Sequence, residues 1–208
     1  MSGTAGFWIG ARPLVLASGS AARRQMLETA GIPVLVKPVV LDEASIANRL
    51  AGNNTSARDI AAALAQAKGM EASSQWRNDI VLAADQTLEF KGHLGMKPAS
   101  VAEAHDQLAA MRGCTHQLHA AACLLRDGKV LWEGCATAEL TMRFFSDHFL
   151  EIYLEQVGDR ICKTVGAYEY EALGAHLFER VEGDQATILG LPLQLLLDAM
   201  RRLGLLLS

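Results

Sequence analysis

The chain has 208 residues, with 19 basic against 23 acidic side chains for a formal net charge of −4; half of its residues are hydrophobic and 20% are charged. That length suits one well-buried core, or a core with an attached lobe, and argues against two unrelated large domains. The apolar content excludes disorder over most of the chain, and without long runs of like charge no nucleic-acid partner is expected. No window approaches the roughly 18 apolar residues of a membrane span, and Met1 to Arg12 lacks the basic-then-apolar order of a secretory leader. Cys114, Cys123, Cys135 and Cys162 show neither CxxC nor a metal-ligand rhythm, so reduced thiols in a cytoplasmic protein are expected.

Pro13 precedes Leu14-Val-Leu-Ala17, a continuous apolar run that predicts a buried strand ending in Ser18-Gly-Ser20. Ala22, Met26, Leu27 and Ala30 then recur at helical spacing up to Gly31, predicting a helix that begins near Ser20. Ile32 to Val40 returns to the sheet as an edge or irregular strand because of Pro33 and Pro38, and a loop presents Asp42 and Glu43. Gly52-Asn-Asn-Thr55 predicts a turn, followed by an alanine-rich helix from Ser56 to about Met70 with Lys68 near its C-terminal end. Ile80 to Ala84 predicts a second buried strand that delivers Asp85 at its end.

Ser100 with Glu103 fits a capping box for a helix to about Met111, closed by Gly113. Thr115 to Leu125 and Lys129 to Met142 predict a hairpin around Asp127-Gly128. A helix from Ser146 to about Val157, a short strand over Ala175 to Val181, and a last helix entered at Pro192 complete the chain. Strands alternating with helices, then a long hairpin, imply an α/β fold with a mixed sheet and helices on its faces.

Three groups of residues suit phosphate chemistry. Ser18, Ser20, Arg23 and Arg24 stand at a strand-to-helix junction, where N–H groups and guanidiniums favour an anion. Asp85 stands at the carboxyl end of a strand, where ligands of α/β sheets collect, and Asp42 or Glu43 could join it around a divalent cation. Lys68 and Lys97 offer mobile point charges to a polyphosphate. No GxxxxGK[ST], GxGxxG or GxSxG motif is present, which argues against P-loop, dinucleotide and serine-hydrolase readings. His116 and His119 would face opposite sides of one strand, so a histidine zinc site is not expected.

In order along the chain, Leu16-Ala-Ser18-Gly-Ser20-Ala-Ala-Arg23-Arg24, Asp42-Glu43, Leu64-Ala-Gln-Ala-Lys68, Asp85 with Lys97 twelve residues on, and Gly166-Ala-Tyr168 with Glu182-Gly-Asp184 and Gly190-Leu-Pro192 form five blocks. In these blocks the chain resembles the Maf family of nucleoside triphosphate pyrophosphatases over nearly its whole length. It departs from the family pattern at Ala21, where proline is usual, and at Met96, where glycine is usual.

The resemblance implies a single Maf-like domain over 1–208, with two lobes around a nucleotide cleft as in the inosine triphosphate pyrophosphatase-like fold. It implies hydrolysis of a nucleoside triphosphate to the monophosphate and pyrophosphate. Asp85 would be the general base, Glu43 and Asp85 ligands of Mg²⁺ or Mn²⁺, and Ser18, Ser20, Arg23, Arg24, Lys68 and Lys97 the groups that hold phosphate. Gln86 and Glu171 resemble the 7-methyl-GTP branch rather than the thymidine and uridine triphosphate branch, which points to a guanine-type base. A homodimer is also implied, and the competing reading is a non-catalytic nucleotide-binding protein linked to cell division.

Overall fold

β1 (Leu14–Leu16) is buried at all three positions, as a strand with neighbours on both edges and layers on both faces must be. The computed structural model describes residues 6–52 and 55–207. Met1 to Ala5 of the opening stretch, and Asn53 and Asn54 of the expected turn, lie outside those residues. After β1 come α1 (Ala21–Thr29), β2 (Val34–Val36), α2 (Glu43–Ala51), α3 (Ala57–Gln75), β3 (Val81–Phe90), β4 (His93–Gly95), α4 (Val101–Met111), β5 (Thr115–Arg126) and β6 (Lys129–Met142). The chain ends with α5 (Asp147–Val157), two 3₁₀ turns (Gly158–Lys163 and Leu173–Leu177), β7 (Phe178–Glu182), α6 (Gln185–Ile188) and α7 (Leu193–Arg202).

The strands form one seven-stranded mixed sheet in the order β2-β1-β3-β5-β6-β7, with β4 also paired to β3. β1 runs parallel to β2 and β3, and the other pairings are antiparallel. β5 covers one edge of β3 from Val81 to Glu89, so β1 and β4 must share the other edge. There β1 reaches only Val81 and Leu82, while β4 begins at Leu88. Between them the edge of β3 has no neighbouring strand, and Asp85 and Gln86 sit in that gap.

Alternation along β3 sorts its side chains between two faces. Val81 and Ala83 pack with Ala61, Ala65 and Ala72 of α3. On the other face, Leu82 belongs to a core with Leu27 of α1 and Leu196 and Met200 of α7, while Leu88 joins a second core with Leu108, Phe145 and Leu150. One face of the sheet thus carries two separate cores, and the cleft opens between them.

The hairpin forms as expected: Asp127 and Gly128 both take positive φ (51° and 73°), the backbone that a two-residue turn between right-twisted strands requires. Four expectations are corrected. Asp42 and Glu43 are not on a loop; Asp42 caps α2, its side chain accepting from Ser45 N at 3.0 Å. α3 runs on to Gln75, which places Lys68 about two turns before its end. β3 does not stop before Asp85 but continues to Phe90, because β5 goes on pairing with it. The strand expected from Ala175 begins only at Phe178, after a 3₁₀ turn. Among the described residues no helix is long and apolar enough to cross a membrane.

Candidate active site

The gap in the edge of β3 opens into a cleft of about 930 Å³. Of the residues singled out in the sequence, Ser18, Ser20, Arg23, Glu43, Lys68, Asp85, Gln86, Lys97 and Glu171 all line it. Arg24 does not: it lies on the exposed side of α1 and pairs with Glu28 at 2.8 Å. Lys163, Glu169 and Tyr170 also line the cleft. Lys163 ends a 3₁₀ turn, and Glu169 and Tyr170 lie between it and the next, with no periodicity to mark them.

Asp85 shares the α3 side of β3 with Val81 and Ala83, so its carboxylate faces the helix. Lys68 lies on the buried stripe of α3 that includes Ile60, Ala61, Leu64, Ala65 and Ala72, which aims its ammonium at the same point. Its Nζ donates to Asp85 Oδ1 at 3.0 Å and lies 2.9 Å from Glu43 Oε1. The side chains of Lys68 and Asp85 are 9% and 11% exposed, against 42% for Glu43. A buried charge needs a partner; here one ammonium serves two carboxylates, and the cluster keeps a formal charge of −1. Asp85 Oδ2 and Glu43 Oε2 take no hydrogen bond among the described residues.

Arg23 fills the unpaired stretch of the β3 edge. The carbonyls of Ile80 and Leu82 accept from the backbone of Val15 and Ala17. The next carbonyl on that edge, Ala84 O, has no strand beside it and accepts from Arg23 Nη1 at 2.9 Å instead. The same nitrogen donates to Ser18 Oγ at 3.0 Å, and Nε donates to Gly190 O at 2.7 Å. Gly190 has φ +91°, a backbone that favours glycine, and a Cβ there would press on Arg23 Nη2 at 3.0 Å. Burial lowers the Arg23 pKa, and Asp85 and then Glu43 oppose that shift.

On the opposite face, Gln86 Nε2 donates to Thr187 O and Ile188 O at 3.0 and 2.9 Å. Its amide nitrogen therefore holds α6 against the sheet. Asp184 caps the same helix, accepting from Thr187 N at 2.8 Å and Thr187 Oγ1 at 2.6 Å. The Gly-Asp and Gly-Leu-Pro blocks of the sequence thus build the wall at Ile188 and Leu189, both of which line the cleft.

His116 and His119 point to opposite faces of β5. His116 Nε2 lies 2.7 Å from Tyr168 Oη, and burial lowers its pKa to about 4. His119 sits by Thr137 and Glu89; burial lowers its pKa, and Glu89 partly offsets this. The four cysteines are free, and burial raises the Cys123 thiol to about 12, so it stays protonated.

Sheet and cleft together define an α/β protein with paired carboxylates, a buried lysine and a buried arginine in one cleft. The sequence profile described as Maf-like protein matches residues 13–203, and the chain belongs to the Maf family. It is 44% identical over 194 residues to a protein named nucleoside triphosphate pyrophosphatase from Nitrobacter winogradskyi, covering 93% of this chain and 95% of that one. It is 40% identical to a protein named 7-methyl-GTP pyrophosphatase from Rhizobium etli, covering 92% and 96%. Among solved structures, a HAM1 protein from Coxiella burnetii overlaps 62% of this chain and 72% of its own, with a TM-score of 0.41 and 17% identity; the family assignment stands on the sequence match alone.

Proposed function

We propose that the chain is a nucleoside triphosphate pyrophosphatase, cleaving the bridge between the α and β phosphates to give the monophosphate and pyrophosphate. The observation that carries this reading is the ammonium of Lys68 set between Asp85 and Glu43 in the gap of the sheet, with buried Arg23 in the same cleft. Asp85 has one oxygen committed to Lys68, which fixes the orientation of its carboxylate. On this reading its other oxygen takes the proton of a water as that water attacks phosphorus. Lys68, Lys97 and the N–H groups of Ser18 and Gly19 balance the charge of the triphosphate and of the departing pyrophosphate.

Asp85 and Glu43 are hard oxygen donors, and among the described residues no third His, Cys, Asp or Glu joins them in a metal-binding group. Two carboxylates without a third protein ligand fit Mg²⁺, which binds through one or two carboxylates together with substrate phosphates. When bound, the ion would neutralise phosphate charge.

Base preference rests on Glu171 and Gln86, both in the cleft. A carboxylate at 171 accepts from the N1–H and 2-amino groups of guanine, and a ring made cationic by N7 methylation favours an aromatic face such as that of Tyr170. Gln86 has its amide nitrogen committed to α6, so only its carbonyl oxygen remains for the substrate. A homodimer is the accompanying reading, supported by part-exposed Val130 and Leu131 at the hairpin tip. Sedimentation equilibrium checks it, and a concentration-independent monomer mass overturns it.

The test is pyrophosphate release with Mg²⁺ from 7-methyl-GTP, GTP, UTP and TTP, in wild type and Glu171→Gln. Wild type is expected to favour the guanine nucleotides, and the variant to lose that preference. Nucleotide binding without turnover would return the chain to the non-catalytic reading, which the names of its curated relatives disfavour. A wild type that prefers UTP or TTP, with no change in Glu171→Gln, would refute the base assignment alone.

A further inference from the structure

One wall of the cleft is built by the segment from Lys163 to Glu171, of which all but Gly166 and Ala167 line it. Gly166 and Ala167 both take positive φ, 81° and 59°. Alanine avoids that conformation unless its surroundings impose it, and Ala167 is fully buried. The turn lays the ring of Tyr168 back over Gly166, where a Cβ would stand 2.7 Å from Tyr168 Cε1. The ring meets Phe178 edge-on, with centroids 4.9 Å apart and planes at 75°, and the hydroxyl meets His116 Nε2 at 2.7 Å. Tyr170 also packs against Phe178, with centroids 5.8 Å apart, and Glu171 follows it into the cleft.

His116 is 2% exposed and does not line the cleft. Its Nδ1 has no hydrogen-bond partner among the described residues, although a buried polar atom without a partner is costly. A leucine would bury as well without that cost. What the imidazole adds is one directed bond, and it holds in either neutral tautomer: Nε2 accepts from the hydroxyl when Nδ1 carries the proton, and donates to it otherwise.

We infer that His116 is a positioning residue for the nucleoside end of the substrate: through the Tyr168 hydroxyl it fixes the segment that carries Tyr170 and Glu171, and so sets the wall against which the base lies. This rests on the nucleotide reading above. It lies on the opposite face of the sheet to Lys68 and Asp85, so its effect is expected at the nucleoside end.

The test uses His116→Leu, Tyr168→Phe, the double variant and His116→Gln. Glutamine places an amide close to the position of Nε2 and can remake the bond. Readouts are kcat and KM for the preferred triphosphate, the inhibition constant of inorganic tripolyphosphate, which has no base, and calorimetric Kd for an α,β-methylene triphosphate analogue. His116→Leu and Tyr168→Phe are expected to raise KM and Kd about tenfold while kcat and tripolyphosphate inhibition stay within about threefold. The double variant should be no worse than either single one, and His116→Gln should recover most of the loss.

Unchanged KM and Kd in folded variants overturn the inference, as does tripolyphosphate inhibition that weakens in step with KM. Should His116→Leu fail to fold, Tyr168→Phe, which removes one oxygen, distinguishes the same outcomes. A wild type that binds the analogue but releases no pyrophosphate refutes the proposed reaction and leaves the Kd comparison to decide on His116. A wild type that does neither overturns both.

Discussion

Arg23 does two jobs that a charge count would not separate. Its guanidinium completes the hydrogen bonding of a strand edge, and it also stands in a cleft that must hold anions. Arg23→Ala leaves Ala84 O and Gly190 O without their donor, at about 1 to 3 kcal/mol for each buried group. A loss of stability of about 3 kcal/mol, or on the order of 10 °C in Tm for a chain of this size, is therefore expected together with weaker substrate use. Arg23→Lys separates the two effects, because it keeps the charge but lacks the planar fork. Thermal melts should show Lys nearly as destabilised as Ala; a lysine variant as stable as wild type would show that charge alone matters. Asp85→Asn is expected to behave oppositely. Its folded structure should survive, since the Asn carbonyl can still accept from Lys68, while kcat falls about 10²- to 10⁴-fold with loss of the base. Retention of more than about a tenth of wild-type kcat would remove Asp85 from that role.

At the scale of the element, α6 shows how the cleft wall is held. Four residues are too few for a helix to persist alone. It depends on Asp184 at its N-terminus, on Gln86 reaching across from the sheet, and on Arg23 just beyond its end. Gln86→Ala or Asp184→Ala should loosen residues 185–190 before the rest of the molecule. Amide exchange there should accelerate tenfold or more, with KM rising because Ile188 and Leu189 line the cleft. Exchange rates equal to wild type across this segment would show that packing alone holds it.

None of this is visible in the sequence, where a four-residue helix leaves no periodic pattern. α2 escapes notice for a related reason, since it is only nine residues long and buries only Ala47. Asp-Gln-Thr after Ala84 reads as the end of β3. The strand continues because each of those polar side chains finds a partner: Lys68 for Asp85, α6 for Gln86, and the Ala57 carbonyl for Thr87. Features fixed by short-range chemistry are legible, including the Ser20 and Ser100 caps and the Asp127-Gly128 turn; of the cleft residues, Gln86 and Glu171 stand out only through the family resemblance, and Lys163 and Glu169 do not stand out at all. Lys68 stands out as a site residue, but its distance from the helix end does not, because the expected helix ends near Met70 and the observed one runs on to Gln75.

For the whole molecule, the two buried histidines tie stability to pH. Burial holds His116 at about 4, against an ordinary value near 6.5, and shifts His119 in the same direction. The unfolded chain therefore takes up protons below about pH 6.5, while folded His116 does not until about pH 4. Through that window the unfolded state binds more protons, so stability is full above pH 6.5 and falls as the pH drops toward 4. At about 1.4 kcal/mol per pH unit, His116 alone removes about 2 kcal/mol between pH 7 and pH 5. The share that belongs to His116 is read from the His116→Gln variant. Urea unfolding at the two pH values measures it directly. Wild type should lose about 2 kcal/mol or somewhat more, and His116→Gln, with no titrating group at that position, should lose markedly less. A variant as sensitive to pH as wild type would mean that His116 is not held neutral by its burial, and the origin of the acid sensitivity would have to be sought on the α3 side of the sheet, at His119 and Glu89.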